Sequence, residues 1–387
     1  MSKPSDEISP RAKKLHFESI IIDTHDDTTQ RLLTPGFDIG VRHKDGGIDI
    51  PRMREGNLGG IFFSIWMSGT VTGPEAVKRS LDQIDTVREM VRTHAKDLAH
   101  CTTAAEIRRA HADGKIAVLM GVEGGHMIAN DLSVLRSYAA LGVRYMTLTH
   151  YLNDDWADSS TDKPAHNGLT EFGKDVVREM NRQGMIVDIS HVADKTFYDA
   201  LEVSKAPMIA SHSSCRALCD HPRNMTDDMI KALAAKGGVI QINYHIGFLS
   251  QQYRDATKAN PELDKQMQAE VEKRCGKDED CQLREGDNLV REAVAAGKLP
   301  RVSWELIIDH IDHAVKLVGA DHVGLGSDFD GANMPYGMED ASDLPKITDA
   351  LLKKGYSESD IRKILGENTL RVMEQVEATA KSLAQSK

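Results

Sequence analysis

The sequence predicts an α/β fold in which repeated strand and helix units close into a (β/α)8 barrel of the TIM type. Eight short apolar runs, each rich in β-branched residues, recur along the 387 residues. The runs are nearly continuous rather than alternating, which is typical of parallel strands buried on both faces. Segments of helical periodicity follow most of them, and eight such units are most economically closed as a barrel.

The predicted strands are short, and each is bounded by turn residues or by a change of periodicity. All of them are long enough to cross a barrel wall, because strands usually contain 3 to 10 residues. In chain order they cover residues 19–25, 60–67, 116–123, 143–150, 185–191, 207–212, 239–245 and 322–329.

Two helices are predicted by clear start signals. After the second strand, Pro74 occupies a position that a first helical turn tolerates, and apolar residues then recur at spacings of three and four from Val77 to Val91. Near the carboxyl end, Ser357 and Asp360 form a start signal of the capping-box kind. We expect a final helix that runs to about Ala378.

The barrel is expected to span about residues 17–375 within a single domain of residues 1–387. Residues 249–301 are charged and prone to form helices, with too few apolar side chains for a core of their own. We interpret them as an insertion after strand seven that lies over the barrel mouth. Cys275 and Cys281 lie in this insertion, and they either pair across a short loop in an exported protein or remain free thiols.

Charge and hydropathy exclude two classes of protein. The net charge of -11 and the isoelectric point near 5.8 do not suit a phosphate-binding surface, so no nucleic-acid partner is expected. The richest apolar stretch, residues 59–67, is far shorter than the roughly 20 residues of a membrane span. Residues 1–15 lack the apolar region of a secretory signal. We expect a soluble protein of the cytoplasm, or of the periplasm if a signal peptide has been removed.

The carboxyl ends of the predicted strands carry an unusual number of polar side chains. In a barrel of this kind these ends meet at one mouth, so the side chains converge. Burying so many ionisable groups without a metal would be costly. Imidazole and carboxylate together suit zinc, or less selectively manganese, cobalt or iron. The candidates are His25, Asp27, Glu123, His150, His191, His212, His245 and Asp328.

The spacing of these residues indicates how they would share metal ions. His25 and Asp27 lie on the same side of an extended strand and can bind one ion together. His191 and His212 end consecutive strands and can bind a second. Glu123 can then give one oxygen to each of two ions about 3.5 to 4 Å apart. A binuclear site is the hypothesis that follows.

Seven motifs occur in an order that resembles the membrane dipeptidase (renal dipeptidase) family of zinc metallopeptidases, a family of amidohydrolase-type barrels. The resemblance covers about residues 17–375 and suggests a bacterial-type member. The motifs are H-x-D at residues 25–27, GVEGGH at 121–126, YMTLTH at 145–150, DISH at 188–191, SHSS at 211–214, HPRN at 221–224 and GSDFDG at 326–331.

The resemblance implies a role for each matching residue. Two zinc ions per chain would be bound, one by His25 and Asp27 and the other by His191 and His212, with Glu123 as the bridge. Further residues would act on the substrate, namely His150 beside the scissile carbonyl, Arg223 on the terminal carboxylate and Asp328 in proton transfer. A homodimer is suggested by the family alone.

Two of these assignments have alternatives. Arg223, close in sequence to Asp220 and Asp227, could form only a surface ion pair. Asp328 could be a further metal ligand instead of a proton carrier. Tyr244 and the neighbouring His245 close strand seven beside the insertion, and we expect Tyr244 to contact the substrate there.

The function predicted is zinc-dependent hydrolysis of the amide bond of short L,L or L,D dipeptides through a binuclear metal-bound hydroxide. Arg223 would hold the carboxylate in a bidentate manner, and the insertion would leave little room beyond the second residue. One alternative is hydrolysis of N-acyl amino acids on the same scaffold. Another alternative is a non-catalytic binding protein. The five intact ligand positions argue against it, because loss of catalysis would be expected to change at least one of them.

Overall fold

Eight parallel strands close into a barrel in the computed structural model, which describes residues 7–386. The first six residues, part of the segment expected to lack a secretory signal, and Lys387 lie outside that range. A ninth strand, β3, pairs with β4 beside the barrel, and pairing between β2 and β4 completes the closure. The strands are β1 Ile21–Asp26, β2 Leu58–Ile65, β3 Leu98–His100, β4 Ile116–Glu123, β5 Val143–Thr147, β6 Ile186–Asp188, β7 Ile209–Ala210, β8 Val239–Ile242 and β9 Val323–Leu325.

Helices connect the strands and pack on the outside of the barrel, as the periodicity predicts. The predicted helix after strand two is confirmed as α4. The helices are α1 Pro10–Phe17, α2 Thr28–Leu32, α3 Ile50–Glu55, α4 Gly73–Thr93, α5 Ala104–Ala112, α6 Leu132–Leu141, α7 Glu171–Gln183, α8 Asp194–Val203, α9 Asp227–Ala235, α10 Ile246–Leu249, α11 Gln251–Ala259, α12 Pro261–Cys275, α13 Glu279–Ala295, α14 Glu305–Val318, α15 Pro345–Lys353, α16 Glu358–Arg362 and α17 Asn368–Gln385.

Each predicted apolar run overlaps one barrel strand, so the (β/α)8 prediction is confirmed. Several strands end earlier than predicted, because polar side chains take over the hydrogen bonds of the backbone that follows. Asp188, the last residue of β6, accepts hydrogen bonds from the backbone N–H groups of Ser190 and Ser211 at 3.1 and 2.8 Å. One carboxylate therefore fixes the turns that follow two neighbouring strands.

The predicted carboxyl-terminal helix forms in two parts. Helix α16 is followed by one wide π-helical turn over Lys363–Glu367, and α17 then continues beyond the expected end. The interruption brings Gly366 against the carbonyl oxygen of Ile20, where a side chain would overlap that oxygen. Close packing against the amino end of β1 accounts for the break.

The insertion forms helices α11, α12 and α13, and a disulfide between Cys275 and Cys281 joins the last two. It shares a small apolar cluster with its flanks, since Tyr253 and Val290 pack with Ile246 of α10. The insertion is thus continuous with the loops of the barrel. None of the helices within residues 7–386 combines the length and apolar character that crossing a bilayer requires.

Candidate active site

Seven of the predicted site residues converge at the carboxyl ends of the barrel strands. All seven are buried, with exposed fractions of 9 % or less. Their ligand atoms form three overlapping groups in which every pair lies within 4.8 Å. The groups are His25 with Glu123 and His212, Glu123 with His150 and His191, and His25 with Asp27 and Asp328.

Glu123 lies at the centre, and its two carboxylate oxygens face different partners. Oε1 is 3.0 Å from Nε2 of His191 and 3.1 Å from Nε2 of His212. Oε2 is 3.5 Å from Nε2 of His25, which in turn is 3.6 Å from Oδ1 of Asp27. The side chains thus divide into two sets, one on each oxygen of Glu123.

The histidines on both sides of Glu123 are oriented by hydroxyl groups. Nδ1 of His25 lies 2.7 Å from the Tyr145 hydroxyl, and Nδ1 of His212 lies 2.7 Å from the Ser211 hydroxyl. Because Ser211 donates its hydrogen to Asp188, it accepts one from Nδ1 of His212. Nε2 of His212 then carries no hydrogen, and its lone pair points at Glu123. Metal-binding histidines are oriented in the same way, with one ring nitrogen as the ligand and the other as a hydrogen-bond donor.

The barrel interior is shaped to hold Tyr145 in this position. The Tyr145 ring packs against Gly121 of β4, where any side chain would overlap the ring. The ring lies 5.3 Å from that of Phe62, centroid to centroid. Gly121, the first residue of the GVEGGH motif, therefore makes room for the tyrosine that orients His25.

The charges around His25 favour a cation there. Burial lowers the pKa of His25, but the carboxylates of Glu123, Asp27 and Asp328 outweigh burial and raise this pKa to about 10. Nε2 of His25 and Oδ1 of Asp27 are buried and have no hydrogen-bond partner within the described chain. Unsatisfied imidazole and carboxylate atoms that converge in this way fit a metal ion, because both are good ligands for zinc and related ions.

Asp328 and His150 border the two sets of ligands. Oδ1 of Asp328 lies 3.9 Å from Nε2 of His25, and its other oxygen accepts a hydrogen bond from Asn243 at 2.9 Å. Nε2 of His150 lies 3.8 Å from Oε1 of Glu123. Burial lowers the pKa of His150 to about 4, so its ring is neutral near pH 7.

Arg223 is buried next to the histidines, which is contrary to the alternative of a surface ion pair. Its guanidinium donates to the carbonyl of His212 at 3.1 Å and to the hydroxyl of Ser213 at 3.4 Å. The guanidinium carbon lies 5.2 Å from the centroid of the Phe248 ring. Between residues 7 and 386 no carboxylate comes within 4 Å of it, so its charge has no protein counterion.

Tyr244 lies away from the other predicted residues. Its ring is buried inside the barrel against Phe329, with centroids 5.9 Å apart. The strand ends at Ile242 rather than at His245, and Asn243 accepts a hydrogen bond from the N–H of His245 at 2.6 Å. This turn directs His245 to the cavity instead of Tyr244, so the expected contact of Tyr244 with the substrate has no support in the geometry.

A cavity of about 280 Å³ opens from the cluster. It is lined by residues of this cluster and by a set of mainly apolar side chains that were not predicted from the sequence. Tyr151, which follows His150 directly in sequence, is the one that could have been found from its position. The others come from separate loops and from the insertion, namely Trp66, Leu152, Phe248 and Leu283.

Comparison with known protein families identifies the family to which the chain belongs. The sequence profile described as membrane dipeptidase (peptidase family M19) matches residues 9–387. The chain belongs to the membrane dipeptidase family. Membrane dipeptidases are metallopeptidases, and the enzyme class predicted from the motifs is therefore confirmed.

Solved structures of dipeptidases and metallopeptidases are similar to this dipeptidase over nearly the whole chain. The probable dipeptidase PvdM from Pseudomonas aeruginosa is 29% identical, with a TM-score of 0.81, over 96% of this chain and 100% of that one. Dipeptidase AC, a metallopeptidase, is 28% identical, with a TM-score of 0.74, over 92% and 98%. A metallopeptidase from Rhodobacter sphaeroides, liganded with a phosphinate mimic of the dipeptide L-Ala-D-Ala, is 27% identical, with a TM-score of 0.74, over 92% and 99%.

Proposed function

We propose that this chain is a zinc-dependent dipeptidase that uses two metal ions bridged by Glu123. The observation that carries the proposal is the division of the ligands between the two carboxylate oxygens. His25 and Asp27 lie on the side of Oε2, and His191 and His212 lie on the side of Oε1. A carboxylate placed in this way is suited to join two ions a few ångström apart.

Bound ions would supply a Lewis acid for the substrate carbonyl and lower the pKa of water from 15.7 toward about 7. His150, neutral and on the rim of the cluster, would donate a hydrogen bond to the developing oxyanion. Asp328, which Asn243 holds in place, would take up a proton and return it to the leaving amine. Its nearness to His25 also supports the alternative of a further ligand role.

Arg223 would recognise the terminal carboxylate of the substrate. A buried guanidinium without a carboxylate partner is costly, and an anion from the substrate would offset that cost. The neighbouring cavity reaches Phe248, against which the guanidinium packs. Because a relative 27% identical binds a mimic of L-Ala-D-Ala, we infer that L,D dipeptides are accepted along with L,L dipeptides.

The test is release of free amine from L,L and L,D dipeptides and from N-acyl amino acids, by protein reconstituted with zinc. We expect metal-dependent cleavage of dipeptides that is lost in Glu123→Gln, since an amide oxygen and nitrogen cannot bridge two cations. His313→Ala is the matched control, because His313 pairs with Asp227 on the outside of the barrel. Cleavage of acylated amino acids alone would reject the dipeptide assignment and keep the metal site.

A further inference from the structure

A second, larger cavity lies between the insertion and the barrel mouth. Its volume is about 830 Å³, compared with about 280 Å³ for the cavity over the metal ligands. Pockets that enclose ligands of drug size measure about 300 to 1,000 Å³. The smaller cavity is therefore of a size for a small substrate, whereas the larger one can accept several more residues or groups.

The two cavities adjoin. Four residues line both of them: His245, Leu283, Gly331 and Ala332. The larger cavity extends from this shared wall between α12 and α13 on one side and the loop at residues 44–47 on the other. The insertion was expected to leave little room beyond the second residue of a substrate, whereas it encloses a cavity of about 830 Å³ beside the smaller one.

We propose that the larger cavity binds an amino-terminal extension of the substrate, so that the enzyme also removes the carboxyl-terminal residue from peptides longer than two residues. This inference rests on the proposed function, because it uses the same metal site and the same reaction. Water is added across the last amide bond: the C–N bond breaks, the hydroxyl of water joins the acyl carbon to give the shortened peptide a carboxylate, and a proton goes to the nitrogen, which becomes the free amine of the released residue.

The relative positions of Arg223 and Gly331 set the direction of the peptide. Arg223 binds the carbonyl of His212, on the Oε1 side of Glu123. Gly331 lies against Asp27, the ligand on the Oε2 side, where a side chain would overlap the Asp27 carboxylate. A peptide that places its carboxylate at Arg223 and its last amide over the ligands directs its amino-terminal part toward Gly331 and the larger cavity.

The charges that line the larger cavity favour a cationic extension. Its four arginines already have carboxylate partners: Arg31 pairs with Asp45, Arg52 with Asp340, Arg284 with Asp280, and Arg291 with Asp287. Three further carboxylates have no basic group within 4 Å in the part of the chain that the structure describes, and Lys44 is the lining lysine without an acidic partner there. The three carboxylates are those of Asp264, Glu272 and Glu339.

Gly286 offers a way to fill the larger cavity without touching the metal site. It lies in α13 and lines the larger cavity but not the smaller one. A Cβ placed on it meets no atom within 4 Å, so a large side chain can extend from the helix without a backbone clash. Ala269 is a matched control, because it is an exposed residue of α12 that lines neither cavity.

The experiment compares Ala-Ala, Lys-Ala-Ala and Glu-Ala-Ala as substrates of the zinc-loaded protein, each in the L,L and L,D forms at the last bond, by measuring released alanine. We expect Lys-Ala-Ala to be cleaved with a kcat/KM within tenfold of that of Ala-Ala, and several-fold better than Glu-Ala-Ala. Gly286→Trp should lower kcat/KM for Lys-Ala-Ala at least tenfold. Gly286→Trp should change kcat/KM for Ala-Ala less than twofold. Gly286→Ala and Ala269→Trp should each change kcat/KM less than twofold for both Ala-Ala and Lys-Ala-Ala.

A second readout does not depend on turnover. Hydrogen exchange of the amides in α12 and α13 is measured with a phosphinate mimic of Ala-Ala and with the same mimic extended by an amino-terminal lysine. We expect the extended mimic alone to slow exchange in these helices, and Gly286→Trp to abolish that effect. Equal exchange with the two mimics overturns the inference.

The outcomes separate this inference from the proposed function. Cleavage of Ala-Ala without cleavage of either tripeptide overturns the inference and leaves the dipeptidase standing. If the tripeptides are cleaved but Gly286→Trp and Ala269→Trp reduce that cleavage equally, the inference is also overturned, because the amino-terminal part of the peptide then lies outside the larger cavity. Silence with every peptide rejects the proposed function, and the inference with it.

Discussion

Nε2 of His191 and Nε2 of His212 lie 3.0 Å apart, and both lie about the same distance from Oε1 of Glu123. Burial lowers the pKa of each histidine, so both rings are neutral. Nε2 of His212 carries no hydrogen, since Nδ1 donates to Ser211. The lone pair on Nε2 of His212 therefore faces the carboxylate oxygen Oε1 of Glu123 at 3.1 Å, and the two repel each other unless a cation lies between them. This arrangement is the strongest physical reason for a metal ion at the site.

His212→Ala should therefore remove one metal ion from the protein. We expect about two zinc ions per chain in the wild type and about one or fewer in the variant, measured by elemental analysis after dialysis. His313→Ala, far from the ligands, should keep the wild-type content. Equal metal content in His212→Ala and the wild type would argue against the proposed ligand role.

Gly331→Ala should inactivate the enzyme by displacing a ligand. The added methyl group would overlap the carboxylate of Asp27, and a displacement of about 1 Å at a reacting site can cost about 100-fold in rate. We expect at least that loss in kcat/KM, with circular dichroism unchanged. Gly286→Ala is the matched control and should be fully active, with a helix stabilised by about 0.5–1 kcal/mol.

Acid should destabilise the fold through two buried histidines remote from the metal ligands. Nδ1 of His310 accepts a hydrogen bond from the N–H of Cys215 at 3.0 Å, and Nε2 lies 3.1 Å from the carbonyl of Leu249, which requires a neutral ring. Burial lowers the pKa of His310 to about 4, and that of His16 likewise. The unfolded chain therefore binds more protons than the folded one between pH 6.5 and 4.

Stability is thus fully present above pH 6.5 and falls as the pH drops toward 4. Each ring contributes about 3 kcal/mol to this loss, since one pKa unit corresponds to about 1.4 kcal/mol. Urea unfolding of the metal-depleted protein at pH 7, 5.5 and 4.5 measures it. His310→Asn, which keeps an acceptor oxygen for the N–H of Cys215, should flatten the dependence. An unchanged slope in this variant would mean that other groups control acid unfolding.

Thiol labelling should distinguish two classes of cysteine. Cys101, Cys215 and Cys219 are free and buried, and burial raises the pKa of each thiol. We expect no labelling by iodoacetamide in the native protein, three labels after denaturation and five after denaturation with reductant. The Cys275–Cys281 bridge closes a short loop and should add about 2 kcal/mol of stability. Five labels without reductant would show that the bridge does not form.

The sequence was sufficient to predict the barrel and the cluster of polar side chains at its mouth. Continuous apolar runs identify buried parallel strands wherever they are long enough to stand out, and seven of the predicted site residues lie together. Strand β3 was missed because three residues carry no periodicity of their own and take their strand conformation from pairing with β4.

Two features depended on contacts that no local pattern contains. The direction of Tyr244 is set by the hydrogen bonds of Asn243 to Asp328 and to the backbone of His245, which turn the chain after β8. The larger cavity depends on how α12 and α13 pack relative to loops more than two hundred residues earlier in the chain. Its volume follows from that packing and not from the composition of the insertion.

His191 and Asp328 both adopt left-handed backbone conformations, with φ of 66° each. Such a conformation costs a residue other than glycine about 1–2 kcal/mol. Replacing either residue by glycine would relieve that strain while destroying the reaction. A descendant released from selection for catalysis would thus gain stability by mutation to glycine at either of these two positions.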